Sequence, residues 1–219
     1  MCLIVFSYKQ HSNYDLVFAA NRDEHYERPT RHAQFWNDHP HILAGKDLKA
    51  GGTWMGITKQ GVFSALTNYR DHAIQKENPP SRGKLVLEFL KNGSTSLPFL
   101  QEIDNQADRY NGFNLLAGNI DKLSYYSNQE KKIQLLDSGL YGLSNHLLDT
   151  PWPKVEWAKE GLNQLLQQSI ISEEHLFNLL ADERKASNEN LPDTGIPREI
   201  EKQVSPIFIK GKSYGTRCS

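Results

Sequence analysis

The chain has 219 residues, 38% of them apolar and 10% aromatic, with a formal net charge of -1. That length and composition suit one domain with a substantial core and argue against disorder. The near balance of charges gives no basic field for nucleic acid, and no apolar run is long enough to span a bilayer. The first residues, Met1-Cys2-Leu3-Ile4-Val5-Phe6-Ser7-Tyr8, carry no basic n-region and too short an apolar run for a secretory signal. An intracellular, cytoplasmic protein is therefore expected.

The first two thirds read as β-rich. Leu3 to Tyr8 and Tyr14 to Ala20 are apolar runs around a polar turn, which predicts a hairpin. Thr53 to Thr58 and Val62 to Asn68 form a second pair, split by Lys59-Gln60-Gly61. Phe113 to Ala117, Leu123 to Tyr126, Ile133 to Leu136 and Leu140 to Leu143 continue the pattern. Between the two groups, Leu85 to Asn92 has helical spacing and stops at Gly93. Further on, Pro153 to Gln168 repeats apolar residues at helical intervals, and Ser172-Glu173-Glu174 opens another helix with Ser172 as N-cap. Asp182 to Ile196 is polar and reads as an exposed loop, and the chain ends in strand-like segments at Ile207-Phe208-Ile209 and from Ser213 onward. The order predicts an α+β fold with mainly antiparallel sheets flanked by helices.

Only two cysteines occur, Cys2 and Cys218, with no Cys-x-x-Cys pattern, so neither a disulfide framework nor a structural zinc site is expected. Eight histidines are present, four of them (His25, His32, His39, His41) close together, but none forms a His-Glu-x-x-His pair. They are read as solvated loop residues, with no metal and no resident cofactor expected. Glycine-rich phosphate loops are absent from the sequence, so no nucleotide site is indicated.

Cys2 is the residue whose position could carry chemistry. Once Met1 is removed, its α-amine has an ordinary pKa of about 7.7–8.0 and can act as a base near neutrality. Nucleophile and base then sit on one residue. A buried cysteine opening a strand is the plainer alternative, and position alone favours it. Arg22 and Asp23, in the segment Asn21-Arg22-Asp23-Glu24 after the second apolar run, could lower a thiol's pKa and hold a protonated amine. A charged surface turn would look the same. Asn68 and Asn145 end apolar strands and could donate to an oxyanion, or simply close turns. Arg217 reads as part of a basic terminus.

Taken in order, Met1-Cys2-Leu3-Ile4-Val5, Ala20-Asn21-Arg22-Asp23-Glu24, Arg28-Pro29-Thr30, Gly51-Gly52-Thr53-Trp54-Met55-Gly56, Leu66-Thr67-Asn68-Tyr69-Arg70, Gly142-Leu143-Ser144-Asn145 and Tyr214-Gly215-Thr216-Arg217 resemble the NRDE family, also called the transport and Golgi organization protein 2 family. That family is similar to the N-terminal cysteine Ntn hydrolases, whose relatives include penicillin V acylase and bile salt hydrolase. The resemblance implies a single-domain αββα sandwich of two antiparallel sheets between helical layers. It implies a catalytic set of Cys2, Arg22, Asp23, Asn68, Asn145 and Arg217, with Cys2 attacking a non-peptide amide or thioester. The acylases separate the Arg and Asp that are adjacent here. Family members usually continue past Gly-Thr-Arg into another apolar strand, so this chain is expected to lack one. Family links to haem trafficking and lipid metabolism imply an alternative, a non-enzymatic carrier or chaperone for haem or an acyl-lipid.

Overall fold

The structure, a computed structural model, describes residues 2–70, 76–93 and 95–219. Its elements run β1 (Cys2–Tyr8), β2 (Leu16–His25), β3 (Thr30–Phe35), β4 (Ile42–Asp47), β5 (Met55–Thr58), β6 (Phe63–Asn68), α1 (Gly83–Asn92), α2 (Ser96–Gln106), β7 (Phe113–Gly118), β8 (Leu123–Ser127), β9 (Lys132–Leu135), β10 (Gly139–Leu143), α3 (Pro153–Leu165), α4 (Glu173–Leu180), α5 (Arg198–Gln203) and β11 (Tyr214–Cys218). All strand pairings are antiparallel. The α+β class with two antiparallel sheets and helices packed on them is therefore what the chain adopts. Among the described residues no helix is long and apolar enough to cross a membrane.

Two compact units divide the chain: Met1–Glu27, Arg70–Ala73 and Asp137–Ser219 form one, Arg28–Tyr69 and Ile74–Leu136 the other. The first holds a four-stranded sheet in the order β10-β1-β2-β11. Every residue of β1 is buried. Alternation sends Leu3 and Val5, with Val17 and Ala19 across from them on β2 or one step along, to the face where Trp152, Val155, Ala158 and Leu162 pack from α3 and its N-cap. The opposite face carries Cys2, Ile4, Phe6 and Tyr8, and Phe6 stacks on its cross-strand partners Phe18 and Tyr141 at 5.9 and 5.1 Å.

The second unit holds a seven-stranded sheet, β3 through β9 in sequence order. Leu85, Val86, Phe89 and Leu90 of α1 and Phe99, Leu100 and Ile103 of α2 bury against Ile42, Leu66, Leu115 and Tyr126. α1 ends where expected, at Gly93, which takes the left-handed conformation (φ 56°) that a side chain would resist. The double glycine has two separate jobs. Gly51 needs φ 75°, whereas a Cβ on Gly52 would lie 2.5 Å from the Gly83 carbonyl carbon, where Thr53 N–H donates to the Gly83 carbonyl at 3.1 Å.

Three expectations are corrected, and two helices appear that were not foreseen. Asn21 to Glu24 does not follow the second strand; it lies inside β2, which β1 and β11 extend to His25 by pairing from both sides. His25 and His32 are strand residues rather than loop: His25 ends β2, and His32 lies in exposed β3, which pairs with β4. α2 and α5 were not anticipated. Ile207-Phe208-Ile209 is irregular; its Phe208 N–H donates to the Asp182 carbonyl instead of to a ladder.

Candidate functional site

Cys2 begins β1, one of the two interior strands of its sheet, with Arg22 directly across on β2. Directly paired residues point to the same face, so thiol and guanidinium share one. Arg22 in turn pairs with Cys218 on β11, which puts both cysteines in one row with the arginine between them. Two strand spacings, about 9–10 Å, separate them, beyond the reach of a disulfide. Both are free thiols.

Adjacent residues on a strand point oppositely, so Arg22 and Asp23 part company. Arg22 lies beside the thiol and pairs with Glu24 at 3.4 Å. Asp23 turns to the helix-bearing face, where it is 3% exposed and accepts from the Thr216 hydroxyl at 2.7 Å. Asn21, on that same face and fully buried, donates to the carbonyls of Leu180 at 2.8 Å and Ile207 at 2.9 Å. One tetrapeptide thus supplies a tether, a cation for the thiol and a buried carboxylate.

Burial pushes the Cys2 thiol up from its ordinary value, and Asp23 adds to this; Arg22 and the Asp23 backbone N–H oppose it. Burial likewise raises the Asp23 carboxyl, opposed first by Lys154 and then by the Thr216 hydrogen bond and Arg22. Thiol and carboxyl are both held toward their neutral forms by the loss of water around them.

β10 pairs with the other edge of β1, Leu143 against Ile4. The next two residues run on beside Cys2. Ser144 hydroxyl donates to the Cys2 carbonyl at 3.0 Å, and the backbone carbonyl of buried Asn145 accepts the Arg70 backbone N–H at 2.7 Å. Arg217 lies between Thr216 and Cys218 on β11, and its guanidinium clamps the backbone carbonyls of His25 and Tyr26 at 2.9 and 2.6 Å. Asn68 closes β6 opposite Phe113 in the other unit. The structure therefore gathers Cys2, Arg22, Asp23, Asn145 and Arg217 in one unit, with the Arg217 guanidinium on the backbone just past Arg22 and Asp23. Met1, whose removal would free the α-amine, lies outside the described residues.

Three charged residues of this unit escaped the sequence reading. Arg70 and Glu201 form a buried ion pair at 2.5 Å, and the Arg70 guanidinium sits over the Trp152 ring, 4.9 Å from its centre. Glu201 also accepts from the Thr194 backbone N–H at 3.2 Å and from its hydroxyl. Lys154, in the first turn of α3, is 2% exposed, and its Nζ makes no hydrogen bond among the described residues. Burial pulls its pKa down to about 8. With Arg70, Trp152 and Glu201 it lines a small cavity of about 10 Å³. The only sequence signal was a cation in the first turn of a helix, where the dipole disfavours it.

These features define an α+β protein whose N-terminal strand carries a buried cysteine under an arginine, with a buried carboxylate and lysine behind it. The profile of the family described as Transport and Golgi organisation 2 matches residues 1–219, and the chain belongs to that family. The mouse Transport and Golgi organization 2 homolog is 37% identical, covering 100% of this chain and 84% of that protein. The human homolog is 36% identical with the same coverage, and the Drosophila melanogaster protein is 27% identical over 99% of this chain and 85% of its own. Among solved structures, an N-acylethanolamine-hydrolyzing acid amidase ortholog from Caenorhabditis elegans aligns with TM-score 0.45 at 10% identity, covering 82% of this chain and 86% of that one. Penicillin V acylase from Agrobacterium tumefaciens aligns with TM-score 0.46 at 9% identity, covering 90% and 74%.

Proposed function

We propose that this protein is an N-terminal cysteine hydrolase or acyltransferase that acts on a small non-peptide amide or thioester. The observation that carries the reading is the row formed by Cys2 and Arg22, a buried thiol with a guanidinium across from it at the start of an interior strand. A thiol pushed up by burial rests protonated, so it needs a base within reach. Removal of Met1 supplies one in the Cys2 α-amine. The amine takes the thiol proton as sulfur attacks the carbonyl carbon. A thioester forms, the amine or thiol of the substrate leaves with that proton, and water or a second acceptor cleaves the thioester to restore Cys2. Arg22 favours the thiolate during attack, Asp23 holds the protonated amine, and Asn145 donates to the oxyanion.

Intact mass of the purified protein first shows whether Met1 is gone. Incubation with a panel of acyl amides and acyl-CoA thioesters then yields an acyl adduct on Cys2, lost in Cys2→Ala. A retained Met1, or the absence of any Cys2-dependent adduct or turnover, overturns the reading. Saturable binding of haem or an acyl-lipid without turnover makes the protein a carrier instead.

A further inference from the structure

Lys154 is the buried charge that this chemistry leaves unused. A buried ammonium without a hydrogen bond is costly, so its charge depends on opposite charges nearby. Four ionisable groups from four segments act on it: Asp23 on β2, Arg70 after β6, Cys2 on β1 and Glu201 on α5. Glu201 is already taken by Arg70 and Thr194. Asp23 is the group that most favours the Lys154 charge, and Lys154 is in turn the one that most favours the charge of Asp23. The register puts both on one face without a direct bond between them: Asp23 turns to the face of the sheet on which α3 packs, and buried Lys154 comes from the first turn of α3. Thr216 and the Asp23 carbonyl's partner Tyr214 close the other side from β11.

We propose that Lys154 is the counter-cation of the Asp23 carboxylate and acts through it as a positioning residue for the Cys2 terminus. This rests on the hydrolase reading above for its purpose, though not for its test. Without Lys154 the Asp23 carboxyl would be held further toward its neutral form and would hold an ammonium less well. With Lys154 charged, more of the carboxylate stays ionised and can orient the α-amine of Cys2. When Lys154 loses its proton the restraint goes, so the pair works only below the midpoint of the lysine.

The test is a carboxyl titration of full-length protein labelled with ¹³C at aspartate side chains, the Asp23 signal being the one absent from Asp23→Asn. Lys154→Met moves the Asp23 midpoint upward, and Lys154→Arg, which keeps the charge, restores it toward the wild-type position. A lysine that only filled space would change the melting temperature and leave this midpoint unmoved, and that result overturns the proposal. The reciprocal measurement uses Asp23→Asn with ¹³C-labelled lysine: the Lys154 midpoint falls below that of the wild type, and an unchanged midpoint also refutes the pairing. This arm still decides the matter where Lys154→Met does not fold. Neither titration requires turnover. Loss of the hydrolase reading thus leaves the pair standing, and unmoved midpoints remove the pair while leaving turnover untouched.

Discussion

Replacing Glu201 by alanine tests whether the charges around this unit are held as a network. Glu201 is 2% exposed, and Arg70, with a side chain 6% exposed, has its guanidinium against that carboxylate. The substitution removes the acceptor for Thr194 and leaves a guanidinium out of water over the Trp152 ring. Breaking one side of a buried pair costs about 3–5 kcal/mol. For a chain of this size each kcal/mol lowers the melting temperature by roughly 2–4 °C, so Glu201→Ala is expected to melt about 6–20 °C lower by calorimetry. The double variant Arg70→Met, Glu201→Met removes both charges and replaces them with apolar volume, so it loses less than the two single losses added together. A drop below about 2 °C for Glu201→Ala, or strict additivity in the double variant, would refute the network.

Three further outcomes follow from the same residues. Asn21→Leu leaves the carbonyls of Leu180 and Ile207 buried without their donor, which costs about 1–3 kcal/mol for each and is read as a lower urea midpoint with an unchanged slope. Gly52→Ala forces a Cβ against the Gly83 backbone and destabilises by about 1–3 kcal/mol in the same assay, whereas Gly51→Ala fails through its positive φ and not through a clash. Arg22→Ala removes a charge that holds the Cys2 thiol down. The rate of iodoacetamide labelling against pH then shifts to higher pH, and a midpoint that stays in place or falls would show that the guanidinium does not act on the thiol.

Most of the fold was legible because it follows period-two alternation with glycine, asparagine and aspartate between strands. β1, β6, β7, β8 and β10 came through within a residue or so of their ends, and Gly93 and Ser172 marked a helix stop and start by chemistry that depends only on near neighbours. What escaped depends on partners far away in the chain. β3 is exposed along its length and shows no apolar face to read, and it is a strand only because β4 pairs with it. The run Arg22-Asp23-Glu24 looks like a turn in isolation, but Thr216 and its neighbours, nearly two hundred residues on, make it strand. In the candidate site, position revealed Cys2 and the family motifs brought forward Arg22, Asp23 and Asn145. Lys154 stayed hidden because nothing in Trp152-Pro153-Lys154-Val155 announces that the lysine points inward.

The place of β1 in its sheet has a consequence for how the chain is made. β1 is synthesised first, yet it lies between β2 and β10, and Ile4 pairs with Leu143, 139 residues later. At ordinary elongation rates that partner leaves the ribosome roughly 7–30 s after β1 does. Until then the hairpin of β1 and β2 exposes an unpaired edge whose side chains are all destined for burial. Closing so long a loop also costs about 4 kcal/mol of chain entropy before any contact across it forms. The strand that carries the candidate nucleophile thus waits for its second neighbour, and β2 waits longer still, for β11. A nascent chain stalled before residue 139 would present Cys2-Leu3-Ile4-Val5-Phe6 to whatever holds aggregation-prone segments in the cell.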